Sequence, residues 1–270
     1  MSNLVQRTIT GIIFLVIVIG AIVIGQLGFF ILFELIIIGA MYEFYTLVEK
    51  KRFNPQKIYG IVIGAIVFAT NYFFINNFIG PEIFFAIIPI IISVFIIELY
   101  RKSEYAFVDI GFTLLGVLYI AIPFSLANYI VFSDDVKYSS HLLLGFLLLT
   151  WSFDTLAYVF GVSLGKHRLF ERISPKKSWE GFIGGAISSI GIAYLISMFY
   201  TELSFLHWAI LSVIISVFGT YGDLVESSFK RNIDEKDSGS LLPGHGGVLD
   251  RFDAVFFTLP LFYLYLQFVQ

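Results

Sequence analysis

The sequence predicts an all-α, polytopic integral membrane protein, and three observations support this prediction. Hydrophobic residues make up 58% of the 270 residues and charged residues only 14%, whereas about 25% of the residues in a soluble domain are charged. Nine apolar runs reach or approach the length of about 20 residues that a helix needs to cross a bilayer. Only helices and closed barrels satisfy the backbone in lipid, and these runs are too long for barrel strands.

The predicted spans follow one another with short connections. The first run is too long for the apolar region of a removable signal peptide and lacks a small-residue cleavage site, so we expect it to remain as the first span. The nine predicted spans are residues 9–26, 28–48, 58–75, 78–99, 110–132, 142–164, 181–200, 205–221 and 254–270.

The basic residues predict the orientation of these spans, because Lys and Arg favour cytoplasmic loops. If the N-terminus is cytoplasmic, 16 of the 17 Lys and Arg residues lie in the N-terminal tail or in cytoplasmic loops, and only Lys137 lies outside. We therefore expect a cytoplasmic N-terminus and an external C-terminus. The cytoplasmic loops that carry these charges are residues 49–57, 101–104, 166–178 and 227–253.

Polar residues of unusual character concentrate in the second half of the chain. We therefore expect a transmembrane scaffold at residues 1–135 and a transmembrane catalytic half at residues 136–270, with cytoplasmic loops 165–180 and 223–253. The absence of cysteine excludes disulfides, thiol catalysis and zinc–thiolate sites. The G-x-x-x-x-G-K-[ST] phosphate loop is missing as well, and no nucleic-acid partner is expected.

Asp154 interrupts the sixth predicted span. A charge at such depth costs several kcal/mol unless it faces protein or a water-filled cavity. Asp154, Tyr158, Gly161 and Gly165 share one helical face, which favours a polar cavity open to the cytoplasm. The alternative is a structural carboxylate bonded to a neighbouring helix.

A short basic loop follows that span and precedes the next one. Ser174 or Ser178 can cap the following helix, and Glu180 near its start suits the helix dipole. Lys176 and Lys177 beside a helix N-terminus are typical of phosphate binding. The alternative is ordinary positive-inside charge together with a helix cap.

The C-terminal polar stretch, residues 227–253, lies between the last two predicted spans. Carboxylates flank it, and adjacent antiparallel helices would bring those carboxylates together, where a divalent cation such as Mg²⁺ would relieve their repulsion. The basic residues would neutralise phosphate, and the glycines would let backbone N–H groups approach an anion. The alternative is a solvated loop with glycine turns. The residues concerned are Asp223, Glu226, Asp250 and Asp253 among the acids, Lys230, Arg231, Lys236 and Arg251 among the bases, and Gly246 and Gly247.

This stretch resembles the signature of the phosphatidate cytidylyltransferases, also called CDP-diacylglycerol synthases, of the bacterial type. The family pattern runs S-x-apolar-K-R, four residues, K-D-x-small, two residues, apolar-P-x-H-G-G-apolar-x-D-R-apolar-D, and it is matched without a gap. The matching residues include Ser227, Lys230, Arg231, Lys236, Asp237, His245, Gly246, Gly247, Asp250, Arg251 and Asp253. The block from Asp154 to Gly181 is similar to the family's S-P-K-K-[ST]-x-E-G region.

The resemblance implies transfer of a cytidylyl group from CTP to phosphatidic acid, which yields CDP-diacylglycerol and pyrophosphate at the cytoplasmic face of a bacterial inner membrane. It also implies that Asp223 and Asp250 hold Mg²⁺, with room for a second cation such as K⁺, and that the protein is a homodimer. His245 is expected to contact phosphate or shape the loop, because a phosphate dianion needs no general base.

Two other functions fit the same residues less closely. A CTP-dependent lipid or polyprenol kinase would transfer the γ-phosphoryl group instead, and its products would be a phospholipid and CDP. A transporter or channel would spread polar residues through several spans, whereas here they gather at one cytoplasmic edge. A non-enzymatic scaffold would leave the glycine-rich loop unexplained.

Overall fold

The computed structural model describes residues 3–132, 137–239, 241 and 246–269. Two compact units are present: the first comprises Met1–Tyr138 with Ile233–Phe252, and the second comprises Ser139–Asn232 with Asp253–Gln270. Residues 233–252, most of the polar stretch 227–253 that the sequence assigns to the catalytic half, therefore belong to the same unit as the N-terminal helices. The proposed division into scaffold and catalytic half stays a prediction.

The first unit is built from helices joined by short turns. Helix α2 packs against α3, and α1 packs against α2. The elements are α1 (Asn3–Ile24), α2 (Gln26–Glu49), α3 (Lys57–Ile75), a 3₁₀ helix (Pro81–Ala86), α4 (Ile87–Arg101), α5 (Ala106–Gly116), a π-helical segment (Val117–Ala121), α6 (Ile122–Ser125) and α7 (Ala127–Val131).

Aromatic and small side chains make the core of this unit. Phe29, Phe33 and Phe68 form mutual ring contacts and are almost fully buried. The Tyr45 hydroxyl donates to the Thr113 carbonyl oxygen at 2.7 Å. The helices approach closely around the Tyr45 ring because glycines face it, as expected for small residues at membrane helix interfaces.

The second unit contains four long helices and one small hairpin. Its elements are α8 (His141–Leu164), β1 (Arg168–Phe170), β2 (Ser174–Ser178), α9 (Trp179–Phe199), α10 (Phe205–Asn232) and α11 (Leu249–Val269), whose first four residues belong to the first unit. The antiparallel β1–β2 pair is a difference from the all-α prediction. The strands are three and five residues long, too short to show a periodicity in the sequence.

Helices α8 and α9 pack through small residues. A Cβ atom added at Gly185 would lie 2.9 Å from the Ala157 Cβ atom, and one added at Gly181 would lie 2.9 Å from the Gly161 Cα atom. This close approach lets the backbones gain van der Waals contact without large side chains. Gly185 is therefore a residue of the α8–α9 packing contact.

We expect Gly185→Leu to lower stability by about 1–3 kcal/mol or more, because the added atoms overpack the contact with α8. The measurement is the thermal unfolding midpoint of the purified protein in detergent. Gly191→Leu is the matched control on the same helix, because a Cβ atom there meets nothing within 4 Å. Equal midpoints for the two variants would contradict this packing.

The predicted spans agree with the helices in position. Within the described residues, eight helical stretches are long and apolar enough to cross a membrane, and a shorter apolar helix covers Ile9–Ile24. The chain is therefore a polytopic, mainly helical protein of the membrane type. The count of nine spans and the orientation of the termini stay predictions.

The predicted loop 223–253 is shorter than expected, because α10 continues to Asn232 and α11 begins at Leu249. The helix extends past the apolar run. Glu226 and Lys230 lie four residues apart in this extension, and Lys230 Nζ is 2.5 Å from Glu226 Oε2. Pairs at this spacing stabilise a helix. Lys230 and Arg231 in its last turn also suit the helix dipole. We call the remaining part, residues 233–248, the connecting segment, and its described residues are 233–239, 241 and 246–248.

Candidate active site

The β-hairpin of the second unit presents the predicted basic loop. The Ser178 hydroxyl accepts a hydrogen bond from the Gly181 backbone N–H at 3.2 Å and caps α9, as the sequence predicted for one of two serines. Ser174 instead begins β2. The Glu180 carboxylate accepts from the backbone N–H groups of Lys166 and His167 at 3.0 and 3.2 Å, so it holds the start of the hairpin against the start of α9.

Lys177, at the end of the hairpin, pairs with a carboxylate on α10. Its Nζ atom lies 2.5 Å from Oδ2 of Asp223, and both side chains are about a third exposed or less. The Ser227 hydroxyl donates to the other oxygen of Asp223 at 3.1 Å. Lys177 and Asp223, predicted from separate stretches of sequence, are thus in direct contact.

Two further carboxylates of the second unit, those of Asp253 and Asp154, belong to the same group of interacting charges. Asp253, on α11, interacts electrostatically with Asp223, Asp154 and Lys177. Its Oδ1 atom also accepts from the Ala254 backbone N–H at 2.7 Å. We call Asp154, Asp223, Asp253 and Lys177 the acidic cluster. It holds three carboxylates and one ammonium group, so it attracts cations.

The helices reach this cluster because glycine allows α10 and α11 to touch. A Cβ atom at Gly222 would lie 2.7 Å from the Asp253 carbonyl oxygen and 3.2 Å from the Ala254 Cα atom. The neighbouring residue in sequence is Asp223. Close contact of the two backbones therefore brings the Asp223 and Asp253 side chains to one end of the unit.

Hard oxygen ligands are the chemistry that Mg²⁺ prefers, and Mg²⁺ commonly takes one or two carboxylates with water and substrate phosphate completing its shell. The donor set of the acidic cluster fits that requirement. Across the described ranges, no group of three or more His, Asp or Glu side chains is arranged as a metal site. A metal held here would accordingly depend on non-protein ligands for part of its coordination.

In the first unit, Asp250 organises the connecting segment. The Ser238 backbone N–H donates to its two carboxylate oxygens at 3.1 and 3.0 Å, and the Gly247 N–H donates to Oδ2 at 2.8 Å. Gly246 has a φ of 82°, a backbone conformation that glycine adopts without strain. A side chain there would also meet Asp250 Oδ2.

Glu43 on α2 was missed by the sequence prediction. The Glu43 side chain is 3% exposed, and its Oε2 atom accepts from the Ser238 hydroxyl and the Leu249 N–H, both at 2.9 Å. A charged residue near the end of an apolar run is the only signal in the sequence. That signal does not identify which distant segment the carboxylate contacts.

The other predicted site residues lie as follows. Lys230 is buried against Glu226, so part of its charge is already neutralised inside the protein. His245 lies outside the described residues. The exposed members of the set are Asp154, Lys176, Arg231, Lys236, Asp237 and Arg251.

Long apolar helices together with a charged, glycine-containing segment define a polytopic membrane protein with a polar site. The chain belongs to the cytidylyltransferase family, whose model matches residues 5–269. The resemblance inferred from the signature is confirmed by this match.

Relatives named phosphatidate cytidylyltransferase share close to half of their residues with this chain over the matched region. The protein from Staphylococcus haemolyticus is 46% identical over 162 residues, which is 59% of this chain and 60% of that protein. Those from Staphylococcus saprophyticus and Staphylococcus aureus are 45% and 44% identical over the same shares. The matched region thus spans 60% of the length of these relatives.

Proposed function

We propose that this protein transfers the cytidylyl group of CTP to phosphatidic acid, and that CDP-diacylglycerol and pyrophosphate are the products. The observation that carries the proposal is the direct contact between Lys177 of the hairpin and Asp223 of α10 beside two further carboxylates. Membership of the cytidylyltransferase family and the names of the relatives support it.

The reaction joins two anions, so positioning and charge neutralisation supply most of the catalysis. A phosphate oxygen of phosphatidic acid attacks the α-phosphorus of CTP and forms the new P–O bond. The bond from that phosphorus to the oxygen bridging to the β-phosphate breaks, and its electrons leave with pyrophosphate. No general base is needed, because the attacking phosphate is already deprotonated.

The basic residues are proposed to hold the phosphates. Lys177 is the best placed of them. When a cation binds the Asp223 carboxylate, the Lys177 ammonium group can leave that carboxylate and pair with a phosphate instead. Lys176, with its exposed side chain, extends the same basic strand. Lys230, Arg231, Lys236 and Arg251 are proposed as further contacts, and Gly246, Gly247 and His245 as the part of the loop that approaches phosphate.

Asp223 and Asp250 are proposed as ligands of Mg²⁺, with Asp154 and Asp253 adding negative charge or binding a second cation such as K⁺. Bound there, Mg²⁺ would neutralise phosphate oxygens and withdraw charge from the reacting phosphorus. In the described structure both oxygens of Asp250 already accept backbone N–H groups. Those bonds orient the carboxylate and leave further lone pairs on its oxygens for a cation.

The membrane setting suits the two substrates. The acyl chains of phosphatidic acid would stay in the bilayer, while its headgroup and CTP would meet at the cytoplasmic edge. We therefore propose a bacterial cytoplasmic membrane, a cytoplasmic N-terminus, an external C-terminus and a site open to the cytoplasm. A homodimer is proposed by analogy with the family.

The deciding experiment supplies purified protein in phosphatidic acid vesicles with Mg²⁺ and CTP labelled separately at the α- and γ-phosphates. We expect the α-label in CDP-diacylglycerol and the γ-label in pyrophosphate. The γ-label in a phospholipid, with CDP released, would replace the proposal by a lipid kinase. No transfer of either label by folded protein would overturn both.

A further inference from the structure

We propose that Glu43 on α2 is a positioning residue that clamps the connecting segment and thereby sets the orientation of Asp250. This inference rests on the proposed function for its effect on the rate, but its structural part stands on contacts of the first unit alone. Glu43 lies 195 and 206 residues in sequence from the two groups that it binds, Ser238 and Leu249.

The clamp joins the two sides of the connecting segment. One oxygen of Glu43 accepts both the Ser238 hydroxyl and the Leu249 N–H at 2.9 Å. Leu249 is the first residue of α11, so its N–H is one of the groups that a helix leaves without an internal partner. A carboxylate at that position also interacts favourably with the helix dipole.

Ser238 connects this clamp to Asp250. Its hydroxyl donates to Glu43, while its backbone N–H donates to Asp250 at 3.1 and 3.0 Å. Movement of Ser238 away from Glu43 would therefore displace a donor that fixes the Asp250 carboxylate. Outer partners of this kind typically change activity or metal affinity by about 10–100-fold when removed.

Two glycines make room for the buried carboxylate. A Cβ atom at Gly239 would lie 2.5 Å from Glu43 Oε1, and one at Gly247 would collide with both Glu43 Oε2 and the Ser238 hydroxyl. Gly247 was predicted to approach phosphate. Its contacts indicate a second requirement, which is to leave room for the Glu43 carboxylate and the Ser238 hydroxyl.

Ion pairs at the end of α2 hold the start of the same segment. Lys50 pairs with Glu235 and Lys51 with Asp234, each at 2.6 Å. These pairs are exposed, so each contributes at most about 1 kcal/mol. Hydrogen bonds to a charged group are roughly twice as strong as neutral ones, so we expect the buried Glu43 carboxylate to hold the segment to α2 more strongly than these exposed pairs do.

The test compares Glu43→Leu and Glu43→Gln in the full-length protein. Leucine removes both acceptor oxygens at similar volume. We expect CDP-diacylglycerol formation to fall by roughly 100-fold, because displacing a group at an active site by about 1 Å can cost that much. Glutamine retains one acceptor oxygen, and we expect a loss of about 10-fold, the lower end for an outer partner. Amide hydrogen exchange of residues 246–250 should rise in the same order.

Glu49→Gln is the matched control on α2, since Glu49 pairs with Lys57 in a partly exposed position. It should leave both the rate and the exchange unchanged. If Glu43→Leu does not fold, the rate and the exchange are measured on Ser238→Ala instead. This variant removes one donor of the clamp without altering α2. Faster exchange with a reduced rate supports the clamp.

Wild-type exchange in folded Glu43→Leu or Ser238→Ala would overturn the clamp. Faster exchange with an unchanged rate would overturn the positioning role. If the wild-type protein forms no CDP-diacylglycerol, the proposed function fails by itself, and the exchange measurements then decide the structural clamp alone.

Discussion

Asp223→Asn is expected to reduce CDP-diacylglycerol formation by roughly 10²–10³-fold, the loss seen when one preorganised electrostatic group is removed from an active site. The amide keeps the size of the side chain but loses the charge that pairs with Lys177 at 2.5 Å. It also becomes a poor ligand for Mg²⁺, which prefers charged oxygen donors. The rate should be measured over a range of Mg²⁺ concentrations in phosphatidic acid vesicles.

The control for this variant is Asp234→Asn, the same chemical change at a side chain that is 84% exposed. It should retain the wild-type rate, since an exposed ion pair contributes little. The elution profile in detergent should match the wild type for both variants. Near-normal turnover by Asp223→Asn would remove this residue from the cation site.

Asp250 gives the second large effect, and two substitutions separate its two roles. Asp250→Asn can still present one oxygen to the N–H groups of Ser238 and Gly247, so the connecting segment should keep its wild-type hydrogen exchange. The rate should nevertheless fall by roughly 10²-fold, because the negative charge is lost. Asp250→Ala removes charge and acceptors, so we expect a similar loss of rate with faster exchange of residues 246–250.

The measurement pairs the transfer assay with exchange followed by mass spectrometry. A normal rate in Asp250→Asn would show that its charge is not needed and would exclude it as a metal ligand. Unchanged exchange in Asp250→Ala would show instead that its hydrogen bonds do not order the segment.

The spans were predictable because every helix that crosses the hydrocarbon core needs about 20 predominantly apolar residues. The third predicted span, residues 58–75, corresponds to Lys57–Ile75, and the sixth, residues 142–164, to His141–Leu164. The eighth was predicted to end at residue 221, but its helix continues to Asn232. Hydropathy reports where apolar side chains stop, whereas a helix ends only where its backbone hydrogen bonds end.

Part of the site was predictable for a similar reason. Asp154 stood out because charge is costly inside a bilayer, and Lys177 because it lies beside a helix N-terminus. Asp223 and Asp253 stood out because they flank the polar stretch. The structure gathers these four residues in one cluster. The β-hairpin before α9 was not predicted, since its strands are too short to show a periodicity. Ser174 and Ser178 were both candidates for the cap of α9. The hairpin decides for Ser178, because it places Ser174 at the start of β2.

By itself, the sequence determined the helical membrane class, the positions of the spans and the family, because composition and motif spacing are local properties of the chain. Only the tertiary structure decided which distant groups meet. Glu43 and Ser238 are 195 residues apart, and no local pattern encodes their hydrogen bond. Such a contact depends on how whole helices pack, and a buried carboxylate takes the partners that this packing brings within reach.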